Sequence, residues 1–260
     1  MRDHLASAFE ELRYEPIERR VRALTGGETV IDSTRAMLVW EPRRVCPSFA
    51  VPEADVRAPV TPASASAADV AGVLHPGVPF AVHTAQGEPL SVGDRTGAGF
   101  RLAELDGYVE LDFGAFEWLE EDERIFGHPR DPYHRVDVRR SSRPLRIEFN
   151  GRVVAETTRA RMAYETQLMT RFYLPREDVL VPLAPSERRT YCPYKGEASY
   201  WSIEGGEDLL WSYEQPLPDA AALAGLVAFW DERVDVFLDG VRRERPAGPV
   251  ADALADEFGV

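Results

Sequence analysis

One module is written twice in this chain, and that repeat restricts the fold more than any other feature, because each copy must bury its own core. Residues 21–41, VRALTGGETVIDSTRAMLVWE, align without a gap on residues 145–165, LRIEFNGRVVAETTRARMAYE. Arg22, Gly27, Val30, Thr34, Arg35, Ala36 and Glu41 recur as Arg146, Gly151, Val154, Thr158, Arg159, Ala160 and Glu165. One residue is then lost from the first copy, after which FAVPEADVRAPV (49–60) matches FYLPREDVLVPL (172–183). HTAQGEPLSV (83–92) matches CPYKGEASYW (192–201), with Gly87-Glu88 on Gly196-Glu197. The chain therefore divides into a first module over 15–120, a connector over 121–144 and a second module over 145–240. The repeat also works as an internal control: scaffold residues should recur, and reactive ones need not.

Local patterns give a mainly β reading. Gly26-Gly27 and Asn150-Gly151 each sit between short alternating runs, and such pairs mark tight hairpins because both turn residues need positive φ. TRAMLVWE and TRARMAYE supply the next strand, and a proline-bounded strand follows in each copy. Residues 61–79, rich in Ala, Ser and Pro, read as a loop inserted in the first copy. Each copy ends in two further β-rich stretches. Leu5, Phe9 and Leu12 share one face of a short helix predicted over 3–12. LPDAAALAG allows one helical turn, and PVADALADEF reads as a short terminal helix or a disordered tail. The expected architecture is two tandem modules of antiparallel sheet with short N- and C-terminal helices. The connector, ERIFGHPRDPYHRVDVRRSSRP, has the prolines and alternating charge of an extended, ordered linker.

Composition narrows the partners. A net charge of −14 argues against nucleic acid or an anionic membrane as a general partner. The one basic stretch, RVDVRRSSR, reads as solvated linker. The N-terminus has no apolar core of the signal-peptide kind, and no apolar run approaches a membrane span. Cys46 and Cys192 stand in unlike surroundings, which suits a reducing cytoplasm rather than a disulfide framework. A small-molecule ligand is the expected partner, and homo-oligomerisation is left open.

The segment richest in chemistry is YCPYKGEASYW. Cys192 is either a nucleophile activated by a nearby cation or a small buried hydrophobe. Lys195 is the only lysine in the chain. A lone compact amine, where arginine otherwise carries positive charge, points to an anion anchor or a Schiff-base lysine; the plainer alternative is a surface ion pair with Glu197. A turn at Lys195-Gly196 would let Lys195 and Glu197 converge. In the first copy His83, Ala85 and Gln86 replace Cys192, Tyr194 and Lys195, and Ser91-Val92 replace Tyr200-Trp201. The reactive side chains thus belong to the second copy. Catalytic roles fall on Lys195, Glu197 and Cys192. Ligand binding falls on Tyr173, Tyr194, Tyr200, Trp201, Trp211, Tyr213, Glu165 and His128. Trp211 and Tyr213 share a strand face, where aromatics pack in a core or line an apolar pocket. Glu41 and Glu165 recur together with Arg35 and Arg159, so a structural Arg–Glu pair explains them plainly, and a general base at Glu165 is the sharper alternative. Lys195→Ala is expected to leave folding intact and remove ligand binding.

His128 and His134 flank two prolines and an aspartate, but no third ligand clusters with them, and a structural four-thiolate zinc site is not available. The connector could instead fold back and lend a histidine to the second module. No metal or cofactor is expected. There is no glycine-rich phosphate cradle and no Gly-x-Ser-x-Gly elbow.

RIEFNGRVVAETTRARMAYET, FYLPREDV, YCPYKGEASYW, WSYEQPLP and LVAFWDERVDVF together resemble an uncharacterised bacterial family, domain of unknown function 427 (DUF427), sometimes labelled nucleotidyltransferase-like. The resemblance covers nearly all of 145–238. Residues 15–120 resemble a diverged second member, and FGHPRDPYHRVD resembles the connector of tandem members. The resemblance implies a small β-tent-type fold, with antiparallel sheets around a tunnel or pocket. The nucleotidyltransferase label lacks the phosphate-binding residues it would need. Two functions follow as expectations: a pocket in the second module for a small anionic or carbonyl compound, with or without catalysis, or a non-catalytic tandem module for protein–protein interaction. Titratable groups gathered in one copy favour the pocket.

Overall fold

The computed structural model describes residues 9–64 and 72–259. The chain falls into two compact units, 1–131 and 132–260. The strands of the first are β1 (Arg13–Pro16), β2 (Val21–Thr25), β3 (Glu28–Ser33), β4 (Met37–Trp40), β5 (Ser48–Pro52), β6 (Val60–Pro62), β7 (Gly87–Val92), β8 (Arg95–Leu102), β9 (Tyr108–Leu111), β10 (Glu117–Glu120) and β11 (Glu123–Ile125). Those of the second are β12 (Val136–Arg140), β13 (Leu145–Phe149), β14 (Arg152–Thr157), β15 (Arg161–Glu165), β16 (Arg171–Leu174), β17 (Ala184–Cys192), β18 (Gly196–Ile203), β19 (Gly206–Ser212), β20 (Val227–Phe229), β21 (Asp235–Leu238) and β22 (Val241–Arg242).

Each unit holds a seven-stranded and a four-stranded sheet. The large sheets run β1-β4-β5-β9-β8-β7-β6 and β12-β15-β16-β20-β19-β18-β17; the small ones run β11-β10-β2-β3 and β14-β13-β21-β22. The large sheets match position for position, the small ones match when one is read from its other end, and all the strand pairings are antiparallel. Even a register shift recurs, between Ala23 and Leu24 and between Ile147 and Glu148. Both hairpin turns carry the expected positive φ, at Gly26-Gly27 and at Asn150-Gly151. The mainly β architecture in two modules is what the chain adopts.

The connector expected over 121–144 is instead shared out. β11 closes the small sheet of the first unit, and β12 is the edge strand of the large sheet of the second, paired with β15 from Val136↔Glu165 to Arg140↔Arg161. Prolines end the extended segment but do not prevent pairing on either side of it. Most of the helix expected over 3–12 lies outside the described residues, and of its last residues Phe9 to Glu11 are turn and bend. Part of the 61–79 insertion, residues 65–71, also lies outside them. The C-terminal segment is a helix, Pro249–Phe258, closed by Gly259 in the left-handed conformation. Pro218–Leu223 forms a 3-10 turn. Among the described residues no helix is long and apolar enough to cross a membrane.

Strand alternation gives the second large sheet two unlike faces. Phe172, Leu174, Leu210, Val227 and Phe229 pack with Leu145, Ile147, Val236 and Leu238 of the small sheet into an aliphatic core. The opposite face carries Tyr173, Ala198, Tyr200, Trp211, Tyr213 and Ala228, together with Trp230. Ala220 and Leu223 of the 3-10 turn and Phe258 of the terminal helix pack there. The aromatic face is where the titratable groups of the second unit converge.

Candidate functional site

The site begins with Glu165, the last residue of β15. The register Val136↔Glu165 brings the segment just before β12 alongside it, and His134 Nε2 lies 3.0 Å from Glu165 Oε1. From the far edge of the sheet, β17 turns into β18 through 193–195, closed by the Lys195 amide donating to the Cys192 carbonyl. That turn presents Lys195, whose Nζ donates to Glu165 Oε2 at 2.5 Å. Gly196, at φ 96, occupies backbone space that a side chain would strain. The His134 ring stacks on Tyr194 at 4.0 Å between centroids. Side-chain exposures of 7% for Glu165, 12% for Lys195 and 16% for His134 place the triad largely out of water.

Burial alone would push the Glu165 carboxyl up, but the Lys195 ammonium and the His134 hydrogen bond outweigh it and hold its pKa at about 2. Burial likewise opposes the Lys195 ammonium, and the Glu165 carboxylate overcomes that, setting its pKa well above an ordinary lysine's, with smaller contributions from Cys192, Tyr213 and Tyr173. Burial pushes the phenol of Tyr173 up to about 12 and raises that of Tyr213 well above its ordinary value, against the pull of Lys195 on both. Trp211 Nε1 donates to Tyr173 Oη at 3.1 Å. The Tyr173 oxygen is thus an acceptor for Trp211, and its own proton is left to donate elsewhere.

Residues 137–240 match the family model described as Domain of unknown function (DUF427). The second module is a DUF427 domain. No curated protein matches the chain.

The DUF427 domain gathers Glu165, Lys195, Cys192, Tyr173, Tyr213, Trp211 and Tyr194 of the residues expected from sequence. It separates others. Glu197 is exposed on β18 opposite Tyr191, so Lys195 and Glu197 do not converge: Gly196 ends the turn and Glu197 faces outward. Trp201 lies on the other side of the sheet from Tyr200, donating to Ser212 Oγ at 2.9 Å, with Arg176 over its ring. Tyr200 lies on the aromatic face, its hydroxyl 2.9 Å from Thr190 Oγ1. His128 belongs to the first unit, with Nε2 3.3 Å from Cys46 Sγ. The connector does lend a histidine, but it is His134. Its one sequence signal was its place two residues before an alternating Val-Asp-Val run.

The Arg–Glu pair expected from the repeat is absent as well. Arg35 pairs with Asp55 and Arg159 with Asp178, at 2.7 and 2.5 Å. Ser33 and Thr157 donate to the same aspartates. Arg35 and Arg159 sit in the exposed turns before β4 and β15, whereas Glu41 and Glu165 lie at the buried far ends of those strands.

In the first module Glu41 is fully buried. It accepts from the Thr84 and Ala85 amides at 2.6 and 2.8 Å, and its Oε1 lies 2.8 Å from His83 Nδ1. Burial works against its charge, but these hydrogen bonds prevail and lower its pKa. Glu110 of β9 is a residue the sequence reading missed. It stands opposite Ala50 and Phe100, where the DUF427 domain has Ala228 opposite Tyr173 and Trp211. Its only sequence signal is a carboxylate inside an apolar alternation, Val109 to Leu111.

Proposed function

We propose that the second module binds a small organic compound through a carbonyl or anionic oxygen, with Lys195 and the Tyr173 hydroxyl as donors and Trp211 and Tyr213 as apolar walls. The observation that carries this reading is the burial of the chain's only lysine in an ion pair beside two phenols, an arrangement that costs desolvation energy and fixes an ammonium in one place. An ammonium has three N–H donors and Glu165 takes one, leaving the others for a ligand. Glu165 and His134 orient the amine.

The protonation states favour binding and polarisation of an oxygen over Schiff-base chemistry. A lysine held well above its ordinary pKa is a poor nucleophile, and a carboxylate held at about 2 is a weak base near neutrality. The alternative, a protein-interaction module, draws less support. The large exposed apolar residues of the second unit, Tyr133, Tyr164, Leu180, Tyr191 and Val241, are spread over two loops, β15, β17 and β22, whereas the titratable groups converge.

A panel of small carboxylates, aldehydes and ketones, screened against the full chain by ligand-observed NMR, tests the reading. Tyr173→Phe keeps the ion pair and should weaken the best ligand about tenfold, the value of one hydrogen bond to a charged or polarised group. Lys195→Arg keeps the charge but not the compact head, and should abolish binding. A panel without binders, or binding that neither substitution alters, would sink the proposal.

A further inference from the structure

The first module, whose copy of the reactive segment has lost its thiol and its amine, carries a different cluster at the corresponding place. One ligand atom from each of Glu41, His83 and Glu110 lies within 4.8 Å of the others. The three come from distant parts of the chain. Glu41 follows β4, Glu110 lies on β9, and His83 lies in the segment between the inserted loop and β7. Arg44 holds that segment through the carbonyls of Pro79, Phe80 and Val82. Glu110 is fully buried, and neither of its carboxylate oxygens has a partner at full hydrogen-bond geometry, although the Ser48 hydroxyl lies close enough to favour its charge. A buried, unpaired carboxylate is among the more costly groups a core can hold.

We infer that Glu41, His83 and Glu110 form a binding site for a divalent first-row transition-metal ion, zinc being the probe of choice. Two carboxylates and an imidazole are borderline-hard donors of the kind Zn2+ accepts, and three protein ligands leave a fourth position for water or a ligand. The charge balance agrees. The cluster holds two carboxylates against one guanidinium, Arg44, whose Nε is 3.8 Å from Glu41 Oε1. Glu110 and Glu41 repel each other, with Arg44 as the nearby cation and Ser48 as a polar neighbour. A cation between the carboxylates would satisfy the orphaned oxygens and remove that repulsion. Donor atoms in a tetrahedral zinc site lie about 3.4 Å apart, given bonds of about 2.0–2.1 Å, so the three groups, within 4.8 Å of one another and with Glu41 and His83 at 2.8 Å, must adjust their side chains on binding. The side chain of His83 is 11% exposed and that of Glu41 is fully buried, so the imidazole marks the solvent side of the site.

Sequence divergence in the first module is then exchange rather than loss. Ala50 gives the room that Tyr173 fills in the second module, and Glu110 occupies the place of Ala228.

The experiment uses the full chain without an affinity tag, stripped with chelator and titrated with Zn2+ by calorimetry, with thermal melting in parallel. The expected result is one equivalent per chain, a rise in melting temperature, and reversal by chelator. Glu110→Gln and His83→Gln should each weaken binding by more than the ~10–100-fold that follows loss of an outer-shell partner. Arg159→Ala, in the other module, should leave zinc uptake unchanged. Circular dichroism establishes that the variants are folded; if Glu110→Gln is not, His83→Gln alone decides. Absence of stoichiometric uptake, or uptake undiminished in the folded variants, would overturn the site.

Discussion

Lys195 Nζ and Glu165 Oε2 meet at 2.5 Å across the second large sheet, joining a turn at one edge to the end of the strand beside the other edge. Two opposite charges in a largely dry place stabilise each other only as a pair. Lys195→Ala is therefore not the neutral probe that the sequence suggests. Lys195→Met alone strands a buried carboxylate and should cost about 3–5 kcal/mol, as should Glu165→Gln in stranding the ammonium. The double variant should recover most of that loss, because an apolar group and a neutral amide need no counter-ion. A double-mutant cycle by urea denaturation measures the coupling; strictly additive single effects would mean that the pair contributes nothing.

Glu165 also sets an acid limit on the second module. Its pKa falls from an ordinary 4.5 to about 2 on folding. A depressed carboxyl contributes stability that is present above the unfolded value and is lost as pH falls through the folded one. About 2.5 units at 1.36 kcal/mol each gives an upper figure near 3 kcal/mol. The stability gap between wild type and Glu165→Gln should thus be constant at pH 6–7 and shrink between pH 4.5 and 2. A gap that is the same at pH 6 and pH 3 would show that Glu165 is not held ionised.

The repeat made the fold legible because its signals are local. Gly26-Gly27 and Asn150-Gly151 specify their hairpins whatever surrounds them, and alternation assigns Phe172 and Tyr173 to opposite faces. The site was legible only where one segment contained it, as with Cys192, Tyr194 and Lys195. Its other members come from strand pairings between residues far apart in sequence. His134 looked like linker because prolines precede it, and only the Val136↔Glu165 register shows what it faces. Glu110 was invisible for a related reason. Position-by-position comparison of the copies finds lost side chains, but not a carboxylate that has appeared on a neighbouring strand.

The recurring Arg35 and Arg159 offer a test of which repeated contacts stabilise. Each guanidinium is more than half exposed, at 61% and 57%, and its ion pair is screened by solvent. The hydroxyl contacts are better sheltered: Thr157 Oγ1 donates to Asp178 at 2.6 Å and accepts from the Arg159 amide at 2.9 Å. Thr157→Val should cost about 1–3 kcal/mol, because it leaves acceptor and amide unpaired. Arg159→Ala should shift the denaturation midpoint far less. The same order should hold for Ser33→Ala against Arg35→Ala. If the arginine variants prove the more costly, the ion pair and not the hydroxyl bridge is the conserved element.

Asp231 gives a prediction of opposite sign to that of Glu165. Burial raises its pKa from 3.8 to about 6, although Arg171, 3.8 Å away, pulls it down. Glu232 adds to the rise, and it is Glu232 that takes the bidentate contact with Arg171, at 2.5 and 2.9 Å. A carboxyl whose pKa rises on folding contributes stability that is full below its unfolded value and is lost as pH climbs through the folded one. Two units correspond to about 3 kcal/mol lost by neutral pH, as an upper figure. Asp231→Asn keeps the shape and removes the titration. It should raise the denaturation midpoint at pH 7.5 and come close to wild type at pH 3.5, where Asp231 is protonated in the folded state and mostly so in the unfolded one. Equal stability of the two proteins at both pH values would mean that the Asp231 carboxylate is not desolvated, and that Arg171 balances both acidic neighbours.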